Sequence, residues 1–225
     1  MILNLEAKMN LQQIKKDNEQ RINLYALISR LMIIEIDEDF LKIIESDTAI
    51  MDMLPNFRDW SKKDEMTSEK LISEYINVDY TSLFLMHMVP YESFYVRDDQ
   101  MIESGGDNPV IDLYNSFDFR VDISTARIVS ADHIGVELEF MYMLSIALNK
   151  AIDEDDIDGV CEILAVQRGF MRDHILQWAP MFLINMKNES RTPIYHDGAE
   201  LTMEFLLSDY EYMNKLNSDI CGNKK

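Results

Sequence analysis

The sequence predicts an all-α protein, a single-domain helical bundle with one long internal linker, and three observations carry that expectation. The 225 residues include only 7 glycines and 5 prolines, too few turn formers for an all-β or Rossmann-type chain. Leu, Ile, Met, Glu and Lys, which favour helices, are abundant. Apolar residues recur at spacings of three and four over long stretches, as along the buried stripe of an amphipathic helix. A chain of this length buries one substantial core without a second domain.

Taken in order, Ile22, Tyr25, Ile28, Leu31 and Met32 predict a first helix from about Asn18 to Met32, which leaves residues 1–17 as an N-terminal extension. "DEDFLKIIES" is a second, shorter amphipathic helix. "MLPNFRDWSKKDEM", broken by Pro55, reads as a connection. Thr67 or Ser68 caps the next helix, with Glu69 near its positive end. That helix uses Leu71, Tyr75, Val78, Phe84 and Leu85 and ends near Pro90. The stretch "PYESFYVRDDQMIESGGDNP" holds most of the loop signals and predicts an irregular segment over 88–110. A short helix over Val110 to Phe117 and a linker over 118–131 follow. Ile134, Leu138, Met141, Ser145 and Leu148 form one apolar row, and Val136, Phe140, Leu144 and Ala147 another, so this helix is buried over most of its circumference. The acidic run Asp153 to Asp158 opens the following helix, whose inner face carries Val160, Leu164, Met171, Ile175 and Trp178 before Pro180. A last helix spans Gly198 to Leu216. The folded domain is therefore expected over 18–217, with a disordered tail over 218–225.

Composition narrows the function. With 41 acidic against 21 basic side chains the formal net charge is −20, which repels nucleic acid and anionic lipid and favours a cationic partner. Scattered surface carboxylates also serve solubility alone. Glu6, Lys8 and Asn10 interrupt the apolar core that a signal peptide would need, and no window holds 18 apolar residues. A cytoplasmic protein without stable membrane insertion is expected. Cys161 and Cys221 lie far apart and imply neither a disulfide framework nor a zinc site.

The chain carries no HExxH, Walker loop, GxGxxG, GxSxG or EF-hand pattern. His87, His133, His174 and His196 are isolated from one another, and Glu137 and Glu139 point to different faces of one helix. No catalytic residue, metal ligand or cofactor is expected. The one chemically suggestive pair, Asp132 and His133, stands at the mouth of the most apolar helix. Its plainer reading makes Asp132 the N-cap and His133 a solvent-facing first residue. Met86, Met88, Met141, Met143 and Met171 read as core filler, although a methionine-rich surface also suits an adaptable peptide groove.

Three segments in fixed order, "EYINVDYTSLFLMHMVPYESFYV", "ADHIGVELEFMYML" and "FMRDHILQWAPMF", resemble the TorD/DmsD/NarJ family of cytoplasmic redox-enzyme maturation chaperones. The resemblance spans about residues 18 to 215. It implies an all-helical fold that binds the twin-arginine signal peptide, or another terminal segment, of a molybdopterin-containing oxidoreductase catalytic subunit. Such a chaperone holds the apoenzyme until its cofactor is loaded and so delays export. The binding elements it implies are Tyr91, Glu92, Ser93 and Tyr95, together with Asp132 and His133. Ala131 stands where many relatives have proline, so the linker lacks that fixed φ.

A peptide with two guanidinium groups and an apolar stretch needs carboxylates beside an apolar groove. Glu92, Asp132 and Glu137 are candidates for the charge, and Tyr91, Tyr95, Phe84 and Met88 for the aromatic and apolar surface. Asp132 then both caps a helix and presents charge, while His133 fixes the linker by hydrogen bonding. A monomer or a dimer that swaps helices across the linker is consistent with this. Two alternatives stand beside it: a metal-dependent helical-bundle hydrolase using His133 and nearby carboxylates, and a non-catalytic assembly subunit with no peptide groove.

Overall fold

The computed structural model describes residues 2–103, 108, 110–120 and 127–222, with side chains from residue 11 onward. Helix α1 (Ile2–Ile33) buries the expected stripe of Tyr25, Ile28, Leu31 and Met32. It begins well before Asn18, and Leu11 and Ile14 are buried on the same helix. Residues 2–17 therefore belong to the first helix rather than to an extension. The run of charged residues around Lys15, Lys16 and Asp17 masks the stripe in the sequence, because exposed positions outnumber buried ones there.

Four short helices follow. Asp37 caps α2 (Glu38–Ser46) by accepting from Phe40 N at 2.7 Å, and Asp47 caps α3 (Thr48–Met53). Helices α4 (Pro55–Arg58) and α5 (Lys62–Glu65) occupy what the sequence suggested was an unstructured connection. Pro55 starts a helix instead of breaking one, since at the first helical position its missing N–H has no partner to lose. Phe57 and Leu54 anchor this region in the core.

Thr67 caps α6 (Ser68–Leu71), which continues through a π turn (Ile72–Ile76), α7 (Asn77–Tyr80) and a second π turn (Thr81–Met86). The helical run stops short of Pro90, as expected. Each π turn inserts extra residues into the helical count and rotates the buried face. Val78 is consequently 50% exposed, while Asp79 and Tyr80 turn inward. The segment expected to be irregular contains α8 (Glu92–Val96), and α9 (Ile111–Ser116) matches the expected short helix. Residues 104–107 and 109 of that segment, and 121–126 of the linker, lie outside the described residues.

Helix α10 (Ile134–Asp153) buries both of its apolar rows along most of their length and packs lengthwise against α1. Asp155, at φ 54°, turns the chain, and Asp156 caps α11 (Ile157–Phe170) by accepting from Gly159 N at 3.0 Å. A π turn (Met171–Ile175) leads into α12 (Leu176–Glu189), and α13 (Pro193–Cys221) closes the bundle. Two expected ends shift. Pro180 lies inside α12, because the π turn before it leaves Leu176 at ψ −9°, away from the helical value at which its carbonyl would meet the proline ring. Helix α13 starts at Pro193 rather than Gly198, again with proline at the first position.

Helix α13 also runs to Cys221, whose sulfur is bonded to Cys161 of α11 across a Cα–Cα distance of 5.7 Å. This corrects the expectation of unpaired cysteines and of a disordered tail from residue 218. The two residues are 60 apart in sequence, and only the packing of α11 against α13 makes them neighbours. Residues 223–225 lie outside the described residues.

Most apolar side chains form one core shared by α1, α10, α12 and α13, and a small second cluster gathers Leu11, Ile14, Leu148, Val160, Leu164 and Leu216. A buried polar seam fixes how the long helices sit. Arg21 of α1 pairs with Asp209 of α13 through Nε (2.5 Å) and Nη2 (3.0 Å), and Tyr25 OH donates to the same carboxylate at 2.6 Å. Gln167 donates to Ser145 Oγ at 2.9 Å and Asn18 to the Ser145 carbonyl at 2.7 Å, tying α11 and α1 to α10. Each partner removes a desolvation penalty that a slipped register would restore.

Candidate functional site

Two of the segments singled out in the sequence meet in space. Among the described residues there is no β-strand, but one isolated antiparallel bridge joins Tyr91 to His133. Glu92 N donates to the Asp132 carbonyl at 3.0 Å, and Ile134 N to the Pro90 carbonyl at 2.9 Å. The start of α8 and the start of α10 are thus stitched together.

Asp132 is fully buried and does not cap its own helix. His133 is the N-cap of α10, with Nδ1 accepting from Gly135 N at 3.1 Å. Asp132 instead caps α8: its Oδ2 accepts from Ser93 N at 2.7 Å, and its Oδ1 is bonded to Ser130 Oγ. The expected assignment is shifted by one residue because α8, which has no side-chain cap of its own, presents its orphan N–H groups to Asp132. Asp79 and Asp197 work the same way, accepting from Thr192 N at 2.8 Å and Phe57 N at 2.9 Å. Several of the acidic residues of this chain are therefore helix caps supplied from a distance.

His133 is buried rather than solvent-facing. Its ring lies edge-on to Tyr91 at 5.1 Å and tilted over Phe84 at 6.3 Å. Burial pushes its pKa down to about 3. Since Nδ1 accepts a hydrogen bond, the neutral ring carries its proton on Nε2.

Beneath α8 lies a run of acid. Glu92, Asp132 and Glu137 are all buried. Trp178 Nε1 donates to Glu137 Oε2 at 3.1 Å, and Glu137 Oε1 finds no N–H or O–H donor. Burial, then the neighbouring Glu92 and Asp132 charges, push the Glu137 carboxyl well above its ordinary range. A shift in that direction favours the neutral, protonated carboxyl at Glu137. On its far side Glu92 meets His174 Nδ1 at 3.0 Å. The π turn at Met171–Ile175 brings His174 to this point.

Tyr95 closes the run from outside, half-buried and stacked on Trp178 at 5.4 Å. Met88 is half-buried against the core, and Phe84 is a core residue in contact with Phe182 and Tyr195. Around them Leu85, Met86, Val96, Met101 and Val129 are exposed. All nine suspected residues except Tyr95 and Met88 are buried in this conformation, so the carboxylates underlie the surface rather than line it. Among the described residues no three His, Cys, Asp or Glu side chains are placed to hold a metal ion, and no helix is long and apolar enough to cross a membrane. A hollow of about 690 Å³ lies elsewhere, where Leu24 and Leu27 of α1 face Phe40, Ile43 and Ile50.

The family model described as the nitrate reductase delta subunit matches residues 47–183, which include every one of these site residues. The chain belongs to that family. Within it, the chain resembles the chaperone protein TorD of Vibrio parahaemolyticus, 22% identical over 90% of this chain and 99% of the relative. TorD of Photobacterium profundum is 25% identical over 87% of this chain and 95% of the relative, and TorD of Aliivibrio salmonicida 22% over 87% and 95%. Each of these relatives is named a chaperone. No solved structure matches the chain.

This member of the nitrate reductase delta subunit family has site residues that sequence reading passed over. His174 and Trp178 sit in the "HILQWAP" segment, which carried the resemblance, but Trp178 was expected only on a buried helix face and His174 was given no partner. Ser130 is in hydrogen-bonding reach of the Glu103 carbonyl (2.6 Å) as well as of Asp132, and Asn108 donates to it at 2.9 Å. Their signal is weak in sequence because each is an ordinary polar residue whose partner lies on another element.

Proposed function

We propose that this protein is a cytoplasmic redox-enzyme maturation chaperone. It binds the twin-arginine signal peptide or N-terminal segment of a molybdopterin-containing oxidoreductase subunit and holds that subunit until its cofactor is inserted, before export. The observation that carries the reading is the closed acid run under α8. Glu92, Asp132 and Glu137 are buried there, and the segments that carry them also expose Met86, Val96 and Met101, which we take as the apolar part of the site. Outward movement of α8, which rests on α12 through the Tyr95–Trp178 stack, uncovers three carboxyls for two guanidinium groups, while the apolar part takes the apolar stretch of the peptide. The likeness to TorD proteins over nearly their whole length supports the same class of work.

The test is titration calorimetry of the full chain with a client N-terminal peptide carrying both arginines. Affinity is expected to fall at least tenfold when both arginines are replaced by alanine, and to weaken with rising ionic strength. Equal binding of the doubly substituted peptide sinks the charge-matching part of the reading.

A further inference from the structure

We propose that Cys161 and Cys221 form a thiol–disulfide exchange site through which a disulfide-class oxidant fastens, and a thiol reductant releases, the end of α13. These are the only two cysteines in the chain, and folding brings them from 60 residues apart to a Cα–Cα distance of 5.7 Å, inside the span a disulfide bridges without backbone movement. Both residues are only half-buried. A small disulfide or thiol therefore reaches the pair, which a bond sealed in the core would prevent.

The bond sits at a weak point of the bundle. The last turns of α13 hold the structure through Leu216, with Tyr212 and Ile220, against Leu11, Ile14, Val160 and Leu164 in the small cluster that stands apart from the main core. Helix α13 ends directly after Cys221. Turns anchored by so few apolar contacts open easily on their own, and a covalent tie to α11 removes that freedom. The amino-terminal half of α1 packs into the same cluster, so the redox state of the pair reaches it as well. In the exchange, the thiolate of one cysteine attacks the oxidant's S–S bond, forms a mixed disulfide and expels one thiolate. The second cysteine thiolate attacks the protein sulfur of that mixed disulfide and expels the other. Two protein thiols are oxidised, one small disulfide is reduced to two thiols, and the two protons pass to the leaving groups. The step stands without the chaperone function proposed above, and a cytosolic setting would make the bond a reversible one.

The experiment uses the full chain equilibrated in glutathione buffers of graded redox poise, then alkylated and weighed by intact mass spectrometry. Both thiols are expected to be alkylated in reduced glutathione and both protected in oxidised glutathione, with return on reversal. The oxidised form should melt on the order of 10 °C higher, and amide exchange over residues 212–221 should slow at least tenfold while that of residues 25–32 is unchanged. Thiols that stay alkylatable in oxidised glutathione, or a bond that resists excess reduced glutathione in the native protein, overturn the proposal. So does the same melting response in Cys161→Ser or Cys221→Ser, which cannot close the bond.

Discussion

Asp132 accepts from Ser93 N on one oxygen and meets Ser130 on the other, so its two substitutions separate structure from recognition. In Asp132→Asn the amide oxygen still caps α8, and the new NH2 group donates to Ser130 Oγ, whose own proton turns to the Glu103 carbonyl. Asp132→Asn should melt within about 3 °C of the parent, whereas Asp132→Ala strands a buried N–H and should cost about 1–3 kcal/mol. If the carboxylate pairs with a client arginine, Asp132→Asn also loses a charge-assisted bond of roughly 1.5–3 kcal/mol and binds about tenfold or more weakly by calorimetry. Unchanged affinity would leave Asp132 a cap alone. Glu137 and His133 have opposite signs in pH. The folded state holds a proton on Glu137 that the unfolded chain releases above about pH 4.5, so its contribution is whole below that value and is lost as pH rises. The folded state refuses a proton at His133 that the unfolded chain takes below about pH 6.5, so that contribution is lost as pH falls toward about 3. Glu137→Gln keeps the Trp178 bond and needs no proton to face Glu92. Its melting temperature relative to the parent should therefore climb as pH rises above about 4.5; a difference that stays flat with rising pH refutes a protonated Glu137.

Between elements, backbone contact decides where glycine is needed. A Cβ at Gly135 would stand 2.8 Å from Ile33 Cβ and 2.9 Å from Ile33 N, because the start of α10 rests on the end of α1. Gly135→Ala should lose about 1–3 kcal/mol in chemical denaturation although alanine is the better helix former. Gly169 in α11 has nothing within 4 Å of its would-be Cβ, so Gly169→Ala should gain about 0.5–1 kcal/mol. Opposite signs for the two are expected; a stabilising Gly135→Ala would mean that α1 and α10 sit farther apart. Glycine count alone pointed to helices, but which glycine is a contact and which is incidental depends on the neighbouring helix.

At the scale of the molecule, a net charge of −20 on one compact body repels itself. Raising salt from about 0.01 M to about 0.15 M shortens the screening length from roughly 30 Å to roughly 8 Å, so the melting temperature should rise by a few degrees while affinity for a basic peptide falls. A melting temperature indifferent to salt over this range would mean that the surface carboxylates are already neutralised by their partners.

The sequence by itself determined the all-α class, the order of the main helices, a cap at Thr67 or Ser68, the acidic start of α11 and the family, because these depend on local spacing and on residues a few positions apart. It also picked out the Tyr91–Tyr95 and Asp132–His133 segments as a pair. Only the tertiary structure decided that Asp132 caps α8 rather than α10, that His174 and Trp178 complete the acid run, and that Cys161 meets Cys221. The π turns that rotate Val78 outward and carry the chain through Pro180 were hidden for a related reason: the local pattern assumes an even 3.6-residue repeat. Each of the other cases joins groups brought together by helix packing. A buried carboxylate or N–H takes whatever partner that packing supplies, since leaving it unpaired costs more than any local preference can return.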